Sequence, residues 1–142
     1  MPYINPAKSR EWSTPVWLFD ELDKEFGFQL DACAKPESAK CRRFYSLQED
    51  ALMQPWAAST FCNPPYGRLI PKWIRKAAEE VRLGKIIVML LPSRTDTRWF
   101  HQYCLAPGVE VRFLKGRLYF GDGRDRAPFP SMIVIFRPSG RR

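Results

Sequence analysis

The stretch that decides the fold is Ser59–Leu91, STFCNPPYGRLIPKWIRKAAEEVRLGKIIVMLL. Ser59–Cys62 reads as a short apolar strand that runs straight into Asn63-Pro64-Pro65-Tyr66-Gly67. Two prolines and a glycine can neither continue a strand nor begin a helix, so this segment is a rigid loop. Pro71 then opens a helix in which Ile70, Trp73, Ile74, Ala77, Ala78 and Val81 form one apolar stripe, and Gly84 stops it. Lys85–Leu91 is a continuous apolar run, the pattern of a parallel strand covered on both faces, and Pro92 ends it. Strand, loop, helix and strand in that order form the repeating unit of a parallel α/β sheet.

Upstream, Thr14-Pro15 has the form of a hydroxyl cap followed by proline at the first helical position. Val16, Phe19, Leu22 and Phe26 follow at helical spacing, and Gly27 ends the helix. Phe28–Ala32 is a short buried strand that presents Asp31 near its carboxyl tip. Lys35–Gln48 is polar, with room for one turn and a short strand around Arg43–Ser46. Downstream, Thr95 or Asp96 can cap a short helix that buries Trp99, Phe100 and Tyr103, and Val109–Leu114 alternates as a strand. Arg117–Phe120 and Met132–Phe136 complete the set, with no helix between them, and are expected to pair antiparallel at one edge. The fold class is therefore α/β: a mainly parallel sheet with helices on both faces and an antiparallel edge hairpin. In such sheets ligands bind at the carboxyl ends of the strands, where Asp31 and Asn63 both fall.

Composition bounds the rest. The chain has 142 residues, enough for one domain, 1–142, with residues 1–10 read as a flexible N-terminus and 138–142 as a basic tail. With 45% apolar and 14% aromatic residues it is neither a disordered tail, a collagen nor a coiled coil. No apolar run approaches membrane-spanning length, and MPYINPAKSREW lacks the apolar segment of a secretory signal, so the expected location is cytoplasmic. Cys33, Cys41, Cys62 and Cys104 form no CxxC pair, and with a single histidine the pattern predicts reduced thiols and no metal. Charge is uneven. Residues 1–67 carry 7 basic and 9 acidic side chains, net −2, whereas residues 68–142 carry 16 and 6, net +10. A half this basic, interleaved with aromatic rings, has a polyanion such as a nucleic acid as its natural partner, or else forms a solvated, solubilising face with most of the rings in the core.

The chemistry lies in Asn63-Pro64-Pro65-Tyr66 at a strand end. An exocyclic amine such as adenine N6 has its lone pair delocalised into the ring and is a poor nucleophile. It needs acceptors that hold its N–H bonds and turn the lone pair out of conjugation. The Asn63 side-chain oxygen can take one hydrogen and the Pro64 carbonyl the other. The prolines, Pro64 and Pro65, hold the backbone so that little reorganises during reaction. Tyr66 offers a ring on which a planar base can stack. A methyl sulfonium in line with the amine would complete a direct transfer, on a base flipped out of the duplex. For the methyl donor, Asp31 beside the small Ala32 and Ala34 can accept hydrogen bonds from ribose or an ammonium group. Asp50 can accept one from an adenine amine, or else serve as a helix cap or a solvated loop acid, and Thr14-Pro15 leads the chain into the same pocket. No GxG turn follows Asp31; Lys35-Pro36 stands there instead.

Taken together, EWSTP, FGFQLDACA, EDALMQPW, CNPPYG, MLLPSRTDTRWFH and KGRLYF with APFPSM resemble the phage-type DNA N-6-adenine methyltransferase family, the small Dam-like enzymes of bacteriophages and prophages. The likeness runs from about Glu11 to about Phe136. It implies a Rossmann-like class I fold, S-adenosylmethionine as cofactor, and site-specific methylation of adenine N6 in double-stranded DNA. By position it implies Asn63, Pro64, Pro65 and Tyr66 as the catalytic loop. Thr14, Pro15, Asp31, Ala32, Ala34 and Asp50 become the cofactor site. Arg94, Trp99, His101, Lys115, Arg117, Arg124 and Arg126 are the expected DNA contacts, and a monomer or homodimer is expected. There is no room for a separate target-recognition domain, so specificity must come from loops such as Gly121–Ser131, from a second subunit, or be low. Two rival readings stand beside this one: an NPPY methyltransferase acting on RNA bases or protein glutamine, and a DNA-binding module with a decayed active site.

Overall fold

The computed structural model describes residues 12–121 and 126–138. Helix α1 spans Val16–Phe26 and ends where Gly27 takes a left-handed φ of 59° and returns its N–H to the Asp23 carbonyl at 2.8 Å. The entry differs from expectation. Pro15 stands just outside the helix, its carbonyl accepting from the Phe19 N–H at 3.1 Å, and Thr14 gives no side-chain cap. The buried stripe is Leu18, Phe19 and Leu22, while Val16 is exposed and Thr14 and Pro15 before it are buried.

Strand β1 is Leu30–Asp31, β2 is Ser59–Cys62, helix α2 is Ile70–Arg82, β3 is Ile86–Pro92, β4 is Val109–Phe113 and β5 is Ser131–Phe136. The sheet runs β1-β2-β3-β5-β4. β1, β2 and β3 pair parallel, and β5 is antiparallel to both β3 and β4. The reversed strand thus lies inside the sheet, between β3 and β4, and not in an edge hairpin with Arg117–Phe120. That segment alternates as a strand does, with Leu118 and Phe120 buried and Tyr119 exposed. Its backbone, however, bonds elsewhere: Leu118 O accepts from Ala127, and the following Gly121 donates to Ser13 O. Only a single bridge, Tyr119 to Arg126, remains of the expected strand. Arg43–Ser46 is likewise reduced to a bridge, Phe44 lying parallel to Asp31.

Side chains alternate across the sheet and split the interior in two. On one face Phe61, Val88, Leu90, Ile133 and Ile135 meet Leu18, Phe19 and Leu22 of α1. On the other, Cys62, Ile87, Met89, Leu91, Met132 and Val134 meet Ile70, Trp73, Ile74 and Ala77 of α2, together with Trp99, Phe100 and Cys104. Helices therefore cover both faces. The last three of these residues belong to a short helix that widens to π geometry over Phe100–Cys104. Its first turn is capped by Thr97, whose Oγ1 accepts from the Phe100 N–H at 3.2 Å, in place of Thr95 or Asp96. Glu80 of α2 is buried although the stripe did not include it. It accepts from the Trp56 N–H at 2.6 Å and pairs with Lys85 at 2.7 Å and Lys76 at 3.5 Å, so the helix is pinned to the segment leading into β2.

Candidate active site

Because β1–β4 point the same way, their carboxyl ends and the start of β5 form one rim of the sheet. Asp31 ends β1, Asn63 follows β2, Ser93 follows β3, and Ser131 begins β5 on that rim. Asp31 lies opposite Phe61 in the register, two residues short of Asn63. Strand spacing and rise put the two Cα atoms about 8 Å apart. By alternation both side chains belong to the α1 face.

Asn63 is held from a distance. Its Nδ2 donates to the Trp12 carbonyl and to Thr14 Oγ1, the latter at 3.1 Å. A carbonyl can only accept, so the NH2 end of the amide must face Trp12, and the oxygen is turned the other way. That oxygen, Asn63 Oδ1, is buried and has no hydrogen-bond partner. The Pro64 carbonyl likewise accepts no hydrogen bond among the described residues. Buried acceptors are ordinarily satisfied, so the open Asn63 oxygen, with an open carbonyl on the next residue, marks a place that suits a donor from outside.

Tyr66 is anchored at both ends. Its hydroxyl donates to the Leu90 carbonyl at 3.1 Å. Phe129 and Phe120 stand nearly perpendicular to its ring, with centroids 5.5 and 6.4 Å away. Trp12 packs edge-on against the same two rings at 5.1 and 5.3 Å. The result is an aromatic wall beside the Asn63 amide. Burial holds the Tyr66 phenol well above its ordinary range, so it stays neutral. Burial also pushes the Cys33 and Cys41 thiols up to about 12 and holds Cys62 well above its ordinary range, so these three thiols stay protonated.

The Asp31 carboxylate is buried and wrapped by the chain that follows it. Oδ2 accepts from the Lys40 N–H at 3.0 Å and Oδ1 from the Cys33 N–H at 3.4 Å. Burial outweighs these bonds and raises its titration to about 6. Ala32 is fully buried and Ala34 half-buried, its N–H donating to Tyr45 O. The segment from Cys33 to Lys40 thus curls around the end of the strand and returns two backbone N–H groups to the Asp31 carboxylate. Asp50, the remaining acid expected at the cofactor site, forms no part of this hydrogen-bond set. It is exposed, makes no side-chain cap, and is the one non-glycine residue with positive φ among the described residues, at 52°.

The expected DNA contacts divide. Arg94, Lys115, Arg117 and Arg126 are exposed and unpaired by any acid among the described residues. Arg94 follows β3, and Lys115 and Arg117 follow β4, so they sit on the same rim as Asn63. By contrast, Arg112 and Arg137 are neutralised by Glu25 and Glu110, in bonds such as Arg112–Glu25 at 2.7 Å. Trp99 is a correction: it is buried in the α2-side core and cannot reach DNA from there. His101 is exposed, its Nε2 2.8 Å from the Thr95 carbonyl. Arg124 lies outside the described residues. What the sequence reading missed is the supporting cast: the Trp12 carbonyl, Ser13, and the rings of Phe120 and Phe129. EWSTP was the available signal, but a main-chain acceptor has no side-chain signature.

Among the described residues no helix is long and apolar enough to cross a membrane, and no three His, Cys, Asp or Glu side chains gather as metal ligands. Comparison with known proteins is consistent in one direction. A protein of Haemophilus phage HP1, named DNA N-6-adenine-methyltransferase, is 31% identical over 150 residues, spanning 97% of this chain and 86% of the phage protein. One of the same name from Escherichia phage T1 is 37% identical over 93 residues, spanning 63% of this chain and 38% of the phage protein. The family model described as DNA N-6-adenine-methyltransferase (Dam) matches residues 4–142, and the chain belongs to that family.

Proposed function

We propose that this chain methylates the exocyclic N6 amine of adenine in DNA, by direct transfer from S-adenosylmethionine to a base turned out of the duplex. The observation that carries the reading is the unpartnered, buried Asn63 Oδ1 beside the open Pro64 carbonyl. An amine with two N–H bonds is the donor that satisfies both. Holding both hydrogens there turns the nitrogen lone pair away from the ring, toward the reacting carbon. The Asn63 and Pro64 acceptors are fixed before the substrate arrives, so the interaction strengthens as the nitrogen becomes electron-poor. The nitrogen would gain the methyl carbon as the carbon–sulfur bond of the sulfonium breaks to leave a neutral thioether, and would give up a proton. An amide, two prolines and a neutral phenol surround it, so that proton leaves to solvent and not to a dedicated base.

The residues fit S-adenosylmethionine. Each Asp31 oxygen accepts one backbone N–H and retains spare capacity at a strand end. That capacity suits ribose hydroxyls or an ammonium group. When bound, the cofactor supplies an electrophilic methyl group. A reversed strand inserted next to an otherwise parallel edge also supports the Rossmann-like class I arrangement, here in shortened form. Arg94, Lys115 and Arg117 on the rim, with Arg126 bridged to Tyr119, supply phosphate contacts, and a transfer site on the same rim lets a flipped base reach Asn63.

The test is incubation of the purified chain with tritiated S-adenosylmethionine and unmethylated DNA, followed by nucleoside analysis. Label is expected in N6-methyldeoxyadenosine. Asn63→Ala should fold normally and lose activity by about 100- to 1000-fold, the scale of removing one preorganised hydrogen-bonding group. Label in RNA or protein only, no label at all, or wild-type turnover by Asn63→Ala would overturn the reading.

A further inference from the structure

We propose that Thr14 is a positioning residue for Asn63: its hydroxyl, with the Trp12 carbonyl, sets which end of the Asn63 amide faces the incoming base. The inference rests on the reading of Asn63 Oδ1 as the amine acceptor. The two prolines constrain the backbone of the loop, but they do not decide the last torsion of the Asn63 side chain, which is broad and nearly two-fold. An amide turned over would present NH2 to the crevice and repel an amine that must itself donate. Something outside the loop has to choose the orientation.

Two acceptors do so. Asn63 Nδ2 meets the Trp12 carbonyl and Thr14 Oγ1, so both amide N–H bonds are used inside the protein and only the oxygen is left for the ligand. The family resemblance puts Thr14 in the cofactor site, but its hydroxyl here is turned to Asn63. Thr14 is buried, with 6% of its surface exposed, and it does not cap α1 although it stands at the helix entrance. The Trp12–Thr14 segment is itself tied down, through Ser13 O to the Gly121 N–H at 3.0 Å and through the Trp12 ring against Phe120 and Phe129. The orientation of the amide is thereby linked to the closure of the aromatic wall. The same geometry makes asparagine specific here. An aspartate would place an anionic oxygen against the Trp12 carbonyl, with no hydrogen to share.

Thr14→Val keeps the shape and removes the acceptor; Thr14→Ser keeps the acceptor. Methyl transfer to DNA gives kcat and KM, calorimetry gives the Kd for S-adenosylmethionine, and the Asn63 side-chain amide is followed by 15N NMR in the same full-length proteins. For Thr14→Val the expectation is a kcat lower by about 10- to 100-fold, the scale of one lost hydrogen bond in a buried site. KM and Kd should stay within about twofold, and an Asn63 amide proton should shift as its bond is lost. Thr14→Ser should recover most of kcat and the wild-type amide signals. Wild-type kcat in Thr14→Val, an unmoved amide signal, or a loss of activity matched by an equal rise in cofactor Kd would each overturn the proposal. If the wild-type protein transfers no methyl group to adenine, the functional reading fails by itself. The amide signal then still reports whether Thr14 holds Asn63.

Discussion

Asp31→Asn should make the protein more stable and less able to bind its cofactor. In the folded chain this carboxyl titrates near 6 instead of its ordinary 3.8, because burial outweighs the N–H bonds from Lys40 and Cys33. That difference corresponds to about 3 kcal/mol held against the charged, folded state. The sign follows from which state holds the proton. Below the ordinary value both states are protonated and nothing is lost. Between 3.8 and about 6 the unfolded chain ionises first, so stability falls as pH rises, and above about 6 the full cost is present. Asparagine removes the charge but accepts through one oxygen only, giving up a backbone N–H bond worth about 1 kcal/mol. The net gain at pH 8 is about 2 kcal/mol, or roughly 7 °C in Tm for a domain of this size. At pH 4.5 only about 1 kcal/mol of the original cost remains, so the gain cancels. Calorimetric melts at the two pH values test this. The loss of an anionic acceptor should meanwhile weaken S-adenosylmethionine binding by about 10- to 100-fold. A variant with unchanged or lower Tm at pH 8, or with equal shifts at both pH values, would refute the reasoning. Stabilisation with undiminished cofactor affinity would remove Asp31 from the cofactor site.

Glu80→Ala should cost about 3–5 kcal/mol in urea unfolding, since it strands the Trp56 N–H and two partly buried lysines. Glu80→Gln, which keeps an acceptor, should cost clearly less. DNA affinity should fall steeply with salt, and Lys115→Ala with Arg117→Ala should reduce the slope of log Kd against log salt by about 2. A slope unchanged in that double variant would take the rim lysine and arginine out of the DNA contact.

The local elements were legible because their causes are local. Ser59–Cys62 emerged with its expected bounds, and the helix beginning at Ile70 and the strand through Leu91 within a residue or two, since hydrophobic period and proline sterics act over a few neighbours. The Asn-Pro-Pro-Tyr loop was legible for the same reason. The cap on the short helix, assigned to Thr95 or Asp96 and found at Thr97, shows the limit: several hydroxyl and carboxyl side chains within one turn compete, and sequence does not rank them. Arg117–Phe120 alternates as a strand should, but alternation reports burial and not hydrogen-bond partners, and those came from Ala127 and Ser13.

The sequence by itself thus determined an α/β domain with a proline-locked asparagine at a strand end and a basic second half. Tertiary structure decided how that asparagine is aimed, that Trp99 is core, and that the reversed strand lies inside the sheet. The reason is separation along the chain. Asn63 takes its orientation from a carbonyl 51 residues away, and a main-chain carbonyl looks the same in every residue until the fold brings it to its donor.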